Sequence, residues 1–232
     1  MAERPENQRA LALLERLDAA LLRVCECWFA GGSAISLRCG EFRVSRDVDF
    51  LCASREGYRE LRERVNASGG AALFCHPLVL VRPARVDRYG IRMAVELDGE
   101  PLKLEIVSEG RIDLVGVEDA TMPTPRLCDE DLVAEKLLAN EDRCFDDSAM
   151  NRDAIDLIVL EHTMGSLPNI AWSKAREAYG RSVDMAWTRA LDRLDEQPDR
   201  RARWLDAMGI TPGARAVIDA KLAARRASSS AP

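Results

Sequence analysis

Two closely spaced prolines, Pro123 and Pro125, divide the sequence into halves with different residue patterns. Prolines at this spacing exclude helix and keep the chain extended, so residues 122–125 are predicted to form a linker. Strand-like and helix-like stretches alternate before the linker, whereas the apolar patterns after it have helical spacing. The sequence therefore predicts a mixed α/β (α+β) domain over residues 1–122 and a helical domain over 126–227. A disordered tail is expected over 228–232.

The first half predicts a definite order of elements. Apolar residues recur at helical spacing over residues 7–24, which predicts a helix. The segment 25–29 that follows is short enough for a strand, and a glycine turn then leads to a short helix over 34–38. Residues 45–51 have the alternation of a half-exposed strand, and 56–65 that of a charged helix. Two further strands, 91–97 and 102–107, flank Asp98-Gly99, a dipeptide favoured in tight hairpin turns.

The second half predicts helices only. Their expected ranges are 129–140, 148–164, 168–179, 182–196, 198–208 and 212–227. Asp129 and Ser148 are the predicted N-caps of the first two, because their short side chains can accept hydrogen bonds from the first free backbone N–H groups.

Composition excludes several classes of protein. Hydrophobic residues make up 47% and charged residues 31%, as in ordinary globular proteins, and the net charge of −6 argues against a basic coat while allowing a local basic face. No apolar run approaches the roughly 20 residues of a bilayer span, and the first residues lack the apolar run of a signal peptide, so we expect a cytoplasmic protein. The 7 cysteines include no CxxC pair, which favours reduced thiols over a disulfide framework or a zinc site.

Asp47 and Asp49 are the strongest candidates for a functional site. They alternate with Val48 and Phe50 on a predicted strand, so both carboxylates leave the same face and can share a divalent cation. Mg²⁺ takes oxygen ligands, commonly only one or two of them protein carboxylates, and substrate phosphates supply others. The alternative is a pair of solvated aspartates on an exposed strand.

Two other segments of the first half favour the metal interpretation. Gly31, Gly32 and Ser33 stand where a strand passes into a helix, a place where backbone N–H groups attract phosphate. A plain turn with Ser33 as N-cap is the alternative there. Lys103 and Glu105 point away from the core on the second hairpin strand. If that strand pairs beside the aspartates, three carboxylates converge, enough to hold two metal ions or one metal ion beside a general base. An exposed Lys-Glu strand face is the alternative there.

Charged residues also line the first two helices of the second half. Lys136, Asn140 and Arg143 share one polar face, and Lys136 has the charge needed to neutralise a triphosphate. On the next helix, Asp153 and Asp156 lie opposite the apolar face. Taken singly, each set is better explained as a solvated helix face.

Taken in order, the segments resemble known motifs. FAGGSAI over residues 29–35 and RVSRDVDF over 43–50 resemble the first motif of the DNA polymerase β-like nucleotidyltransferases. AEKL over 134–137 and RDAIDL over 152–157 resemble the later motifs of the AbiE-type toxin nucleotidyltransferases of type IV toxin–antitoxin systems. The resemblance covers residues 28–160 and implies that the helical domain over 126–227 completes the active-site cleft.

The resemblance implies roles for the matching residues. The implied catalytic residues are Asp47, Asp49, Glu105, Lys136 and Asp153, and the implied Mg²⁺ or Mn²⁺ ligands are Asp47, Asp49 and Glu105. The implied nucleotide-binding residues are Gly31, Gly32, Ser33, Arg43, Ser45, Lys136 and Asp156, with Asp153 or Asp156 as the acid of the last motif.

The resemblance also implies an activity and its partners. An NTP would donate its NMP group to a hydroxyl of an RNA (the 3′ end of a tRNA among them), a protein or a small molecule, and the chain would be the toxin of a pair with a cognate antitoxin. The alternative is a nucleotidyltransferase fold used only for binding or regulation. P-loop, Rossmann and serine-hydrolase sites are disfavoured because GxxxxGK[ST], GxGxxG and GxSxG are absent.

Residues of the last helices leave one choice open. Basic residues are frequent over 200–226, where they could guide an RNA backbone, although we favour a solvated helix face. Trp172, Trp187 and Trp204 are expected in the helical core rather than as base-stacking platforms, and His162 in the core or at its boundary.

Overall fold

A computed structural model describes residues 2–229. It contains two compact units. The sheet unit comprises the chain up to Glu41 together with Ser45–Cys128, and the helical unit comprises Phe42–Val44 together with the chain from Asp129 onward. Of the tail expected to be disordered, residues 230–232 lie outside the described part, whereas Ser228 and Ser229 belong to the last helix.

The sheet unit is built from strands with four flanking helices. The helices are α1 (Pro5–Leu14), α2 (Ala19–Val24), α3 (Gly31–Arg38) and α4 (Arg55–Ser68), with a short 3-10 helix at Gly70–Leu73. The strands are β1 (Cys27–Ala30), β2 (Asp47–Cys52), β3 (Val79–Val86), β4 (Gly90–Leu97), β5 (Glu100–Ser108), β6 (Gly116–Val117) and β7 (Arg126–Leu127).

These strands form one mixed sheet in the order β3-β4-β5-β2-β1-β7-β6. The β2/β5 and β1/β7 pairs are parallel, and the other pairs are antiparallel. Val48, Phe50, Leu104 and Ile106 are fully buried on one face, each stabilising the fold by about 1.5–3 kcal/mol through burial. We call the opposite face, which carries the alternating polar residues of β2, β4 and β5, the open face. The predicted mixed α/β fold is confirmed.

The predicted hairpin is also confirmed. Asp98 and Gly99 have φ of +52° and +77°, the left-handed conformation that a two-residue hairpin turn requires at both central positions. Because the turn has two residues, it fixes the register of β4 against β5, starting from Leu97 opposite Glu100.

Two predictions about the sheet unit were wrong in detail, and one strand was missed. The opening helix is broken into α1 and α2 because Leu17 bridges to Phe74 and the Asp18 side chain accepts the N–H of Leu21 as an N-cap. Helix α3 begins at Gly31 rather than at residue 34, so the glycines form its first turn and Ser33 is not its cap. Strand β3 was not predicted, because Pro83 and two register shifts interrupt its alternation.

The helical unit contains α5 (Asp129–Arg143), α6 (Arg152–Met164), α7 (Asn169–Tyr179), α8 (Ser182–Glu196), α9 (Pro198–Ala207) and α10 (Pro212–Ser229). Helix α6 starts later than predicted because Met150 and Asn151 adopt left-handed φ of +51° and +55°. The N–H of Ser148 is itself capped by the Asp146 side chain, so Ser148 is not an N-cap. Among residues 2–229, none of the helices combines the length and apolar character that crossing a bilayer requires.

The segment Phe42–Val44 joins the helical unit although it lies far from it in sequence. The N–H of Val44 donates to the carbonyl of Met208 at 2.9 Å, and the N–H of Thr211 donates to the carbonyl of Phe42 at 2.9 Å. These bonds hold the segment against the connection between α9 and α10. Ser45 and Arg46 alone separate it in sequence from β2.

Candidate nucleotidyltransfer site

Asp47 and Asp49 are positioned by the alternation of β2. Val48 and Phe50 point into the core with no exposed surface, so the two aspartates between them share the open face, where both are half-buried. Two carboxylates on one side of a strand are the arrangement predicted from the sequence.

Glu105 lies beside this pair, because β2 and β5 run in parallel with Asp49 opposite Glu105 and Asp47 opposite Lys103. The carboxylate of Glu105 accepts Arg92 Nε at 2.6 Å and Lys103 Nζ at 2.7 Å. Burial opposes ionisation of Glu105, but the hydrogen bonds and charges of Lys103 and Arg92 outweigh it and lower the pKa. Glu105 is therefore a held, ionised carboxylate.

The donor set on the open face fits a magnesium ion held by two carboxylates. Within residues 2–229, no group of three or more His, Cys, Asp or Glu side chains is arranged to hold a metal. Both oxygens of Glu105 already receive a cation, so its role as a third ligand remains a prediction. Asp47 and Asp49 alone satisfy the usual requirement of Mg²⁺ for one or two protein carboxylates.

The start of α3 lies directly against Asp49. Gly31 has φ of +72°, and a Cβ built on it would lie 2.4 Å from Asp49 Oδ2, so a larger residue would displace the carboxylate. The Ser33 hydroxyl donates to the carbonyl of Asp47, which attaches the first turn of α3 to β2. Ala30 occupies the N-cap position and has no side chain that can accept the N–H groups of that turn.

The backbone and the serine side chain of residues 31–33 have different roles in this geometry. Gly32 and Ser33 are buried, and the Ser33 hydroxyl donates its hydrogen bond to the backbone of β2. The N–H groups at the start of α3 still form the kind of anion-binding end that nucleotide phosphates use. Backbone groups, rather than the serine hydroxyl, are therefore the stronger candidates for phosphate contacts.

The remaining predicted residues gather in the helical unit as a buried charge cluster. Lys136 Nζ, on α5, lies 3.0 Å from Asp153 Oδ1 and 3.0 Å from Asp156 Oδ2, both on α6. Arg143 Nη2 is 2.8 Å from Asp153, and Arg43 binds Asp156 through Nε at 2.6 Å and Nη2 at 2.9 Å. Three cations thus surround two carboxylates.

Burial and charge act in opposite directions in this cluster. Burial disfavours the ionised Asp153, but Lys136 and Arg143 outweigh it and lower its pKa to about 2. Burial likewise opposes the charge of Lys136, and the two aspartates overcome it and raise its pKa. Lys136 and Asp153 therefore hold each other ionised, and the cluster keeps an excess of positive charge.

The sequence placed Lys103, Lys136 and Arg143 on polar faces but did not show which cations pair with the predicted carboxylates. Arg92 lies opposite Glu105 in the hairpin, a pairing that the two-residue turn already fixes. Lys103 shares the strand face of Glu105, so alternation alone places it there. The contact of Arg43 with Asp156 had no such signal, because 113 positions separate the two residues. Ser45, the other predicted pocket residue, is half-buried between Phe42–Val44 and β2.

The sequence matches the family described as "Nucleotidyl transferase AbiEii toxin, Type IV TA system" over residues 12–222. The chain belongs to this family. It is accordingly a nucleotidyltransferase, and membership of an enzyme family favours catalysis over the binding-only alternative. The match extends well beyond the motifs at both ends and covers both units of the AbiEii chain.

Solved structures of low identity resemble the AbiEii chain. An antigenic nucleotidyltransferase-like protein from Paracoccidioides brasiliensis has 14% identity and a TM-score of 0.49, covering 88% of this chain and 93% of its own. MenT4, a nucleotidyltransferase toxin from Mycobacterium tuberculosis, has 18% identity and a TM-score of 0.40, covering 84% and 69%. No curated protein matches the sequence. The family assignment therefore depends on the sequence match.

Three expectations for the last helices of the AbiEii chain can now be compared with the structure. The basic residues over 200–226 mostly form ion pairs with neighbouring helices: Arg200–Asp147, Arg201–Asp219, Arg215–Asp206, Lys221–Glu161, Arg225–Asp192 and Arg226–Asp195. These pairs favour a structural role over an RNA guide.

The aromatic residues and the histidine behave differently. Trp204 is buried, as expected of a residue in the helical core, whereas Trp172 and Trp187 are only half-buried and pack edge-to-face at 6.5 Å. His162 is exposed, contrary to expectation, and lines a cavity of about 560 Å³ between α6 and α10.

Proposed function

We propose that this AbiEii nucleotidyltransferase transfers an NMP group from an NTP to a hydroxyl acceptor, with Mg²⁺ or Mn²⁺ bound by Asp47 and Asp49. The contact between Asp49 and the start of α3 is the observation that supports this most. It joins two metal-binding carboxylates to a helix end suited to phosphate, and a metal–nucleotide complex needs both.

The chemistry assigns a task to each group of the sheet unit. The N–H groups at the start of α3 bind phosphate oxygens, and Asp47 and Asp49 hold the metal, which when bound offsets the charge on the phosphates. The acceptor oxygen forms a bond to the α-phosphorus while the bond to the bridging oxygen breaks, and pyrophosphate leaves with that electron pair. The acceptor hydroxyl loses its proton to solvent or to a nearby base.

Glu105 and Lys136 receive narrower roles in this proposal. The lowered pKa of Glu105 makes it a weak proton acceptor, so we assign it to hydrogen bonding of the acceptor hydroxyl more than to removal of its proton. Lys136 is proposed to contact the triphosphate, as its place in the family's motifs implies. Asp153 then keeps the ammonium charged and oriented.

The partners of the enzyme follow from the family description, which names a toxin of a type IV toxin–antitoxin system. We propose a cognate antitoxin protein as a partner in the same cell. Among acceptors, RNA with a free 3′ hydroxyl, including tRNA, is proposed ahead of a protein or a small molecule.

The test is transfer of label from each α-labelled NTP to total RNA, with and without Mg²⁺, by the wild type and by Asp47→Asn with Asp49→Asn. Loss of transfer in EDTA and in the double variant is expected. Asp98→Asn is the matched control, since asparagine tolerates the left-handed turn and that site is remote from β2. Transfer that survives both EDTA and the double substitution would contradict the proposed metal site.

A further inference from the structure

Side chains of the open face form two rows that run from the aspartates to the edge of the sheet. Strand register places Asp49, Glu105, Arg92 and Arg85 in one row and Asp47, Lys103, Ala94 and Arg82 in the next. Residues paired across strands share a face, so each row crosses β2, β5, β4 and β3. Three strand spacings of about 4.8 Å make each row roughly 14 Å long.

Charge changes sign along both rows. They start at carboxylates on β2 and end at arginines on β3, with Arg92 and Lys103 between them. We call Arg82, Arg85, Arg92 and Lys103 the basic strip. The next row along β4 carries Glu96 opposite Val79, so the strip ends there.

The outer end of the strip is where cations are available. Arg92 is shared between Glu105 and Asp87, and Lys103 pairs with Glu105. Arg82 and Arg85 are exposed and form no ion pair with any residue in the described part of the chain. Arg85 lies near enough to Asp87 to help lower the pKa of that carboxyl, but neither arginine is held in a salt bridge in the described part of the chain. Exposed guanidinium groups that are not held in this way are a favourable site for phosphates.

An exposed aromatic residue adjoins the strip. Tyr89 lies in the turn between β3 and β4 with 58% of its surface exposed, and the Arg88 guanidinium lies 4.6 Å from its ring centroid. The Asp87 side chain accepts the N–H of Tyr89 at 2.7 Å and also binds Arg92 at 3.0 Å, which fixes the turn to the strip. Aromatic rings beside cations are the platform on which single-stranded bases stack.

We propose that the basic strip and Tyr89 form the binding surface for a single-stranded RNA acceptor, whose backbone crosses β3 and β4 and whose 3′ end reaches Asp47 and Asp49. This inference depends on the proposed function, because it uses that site as the destination of the acceptor. The arginines contact phosphates and Tyr89 stacks on a base, and both rows lead to Asp47 and Asp49, where the 3′ hydroxyl of the chain terminus meets the proposed metal–nucleotide complex.

The same features argue against an acidic polypeptide as occupant. A peptide would most readily add to the outer edge of β3, but Pro83 and two register shifts interrupt the hydrogen-bonding groups of that edge. A stacking ring also contributes little to a carboxylate-rich segment. RNA uses both the cations and the ring.

The test compares two double variants that remove the same charge. Arg82→Ala with Arg85→Ala removes the outer strip, and Arg59→Ala with Arg62→Ala removes two arginines from helix α4, which is not part of the open face. Binding of a 5′-fluorescein-labelled single-stranded RNA is measured by anisotropy between 50 and 200 mM salt in both variants, a range that exposes phosphate contacts. Loss of two contacts should reduce the magnitude of the slope of log K against log salt by roughly 1.4.

Further measurements distinguish the possible outcomes. Tyr89→Ala is expected to weaken RNA binding roughly tenfold with the salt slope unchanged, because stacking is not ionic. Equal slopes of log K against log salt in both double variants would overturn the proposal. Binding of fluorescein-labelled poly-glutamate is measured as well, and its loss in Arg82→Ala with Arg85→Ala, with RNA binding unchanged, would also overturn it. A third outcome separates the two proposals. If the substitutions in the basic strip weaken RNA binding while Asp47→Asn with Asp49→Asn still transfers nucleotide, the RNA-binding surface is supported and the proposed function is contradicted.

Discussion

Replacing Asp156 with asparagine tests the most strongly buried interaction of the helical unit. The Asp156 side chain has no exposed surface and receives Arg43 twice, at 2.6 and 2.9 Å, and Lys136 at 3.0 Å. Asparagine keeps the shape but removes the charge and points an N–H donor at these cations. Removal of one partner from a buried pair costs about 3–5 kcal/mol, which for a protein of this size lowers the Tm by roughly 6–20 °C.

Tryptophan fluorescence reports mainly on the helical unit, because three of the four tryptophans, Trp172, Trp187 and Trp204, lie within it. Their fluorescence is followed during urea unfolding of the wild type, of Asp156→Asn and of the control Asp131→Asn. Asp131 is also fully buried, but its partner Lys174 is 21% exposed and can return to water, so we expect a smaller loss of about 1–2 kcal/mol.

A double variant completes the argument. Arg43→Met with Asp156→Leu removes the cation together with the carboxylate, so it should be more stable than Asp156→Asn alone. The reasoning fails if the two asparagine variants lose the same stability, or if the double variant is the least stable of the three.

Two further substitutions have expected outcomes of different kinds. Asp153 has a folded pKa of about 2, below its unfolded value, so its stabilisation is present above about pH 4 and is lost as the pH falls to 2. As the pH falls from about 4 to 2, the wild type should therefore lose about 2 kcal/mol more of its free energy of unfolding than Asp153→Asn, as measured by urea titration at each pH. Identical pH profiles of the two proteins would contradict this. Gly31→Ala should lower nucleotide transfer roughly a hundredfold by displacing Asp49. Gly99→Ala is the matched control. Gly99 has a positive φ of +77°, as Gly31 has, but a Cβ added there meets nothing within 4 Å, so the substitution should cost only about 1 kcal/mol of stability and retain transfer.

Local rules account for the parts of the fold that were predicted from sequence. A two-residue turn at Asp98-Gly99 and strict alternation set the hairpin, its register and the face of Glu105. Alternation also placed Asp47 and Asp49 on one side of β2. Each of these depends on neighbours within a few positions, where strand geometry leaves little choice.

Long-range contacts account for the parts that were missed. The break before α2 depends on a bridge from Leu17 to Phe74. The first turn of α3 lies against Asp49 and is attached to β2 by the hydrogen bond from the Ser33 hydroxyl to the carbonyl of Asp47. The attachment of Phe42–Val44 to the helical unit uses Met208 and Thr211. No local pattern encodes such pairings, because at least 14 positions separate the two partners in each case.

Charge is the property for which sequence order misleads most. Basic residues are frequent over 200–226, yet most of them pair with carboxylates on other helices. Arg82 and Arg85 stand in a segment that the sequence did not single out, but they are exposed and form no salt bridge in the described part of the chain. An exposed arginine that is paired with a carboxylate adds little to the electrostatic potential around the protein, because the two charges offset each other. An arginine outside a salt bridge can bind a phosphate. A protein with a net charge of −6 can therefore attract a polyanion at one face, because the distribution of unpaired cations, and not their total, decides where phosphate binds.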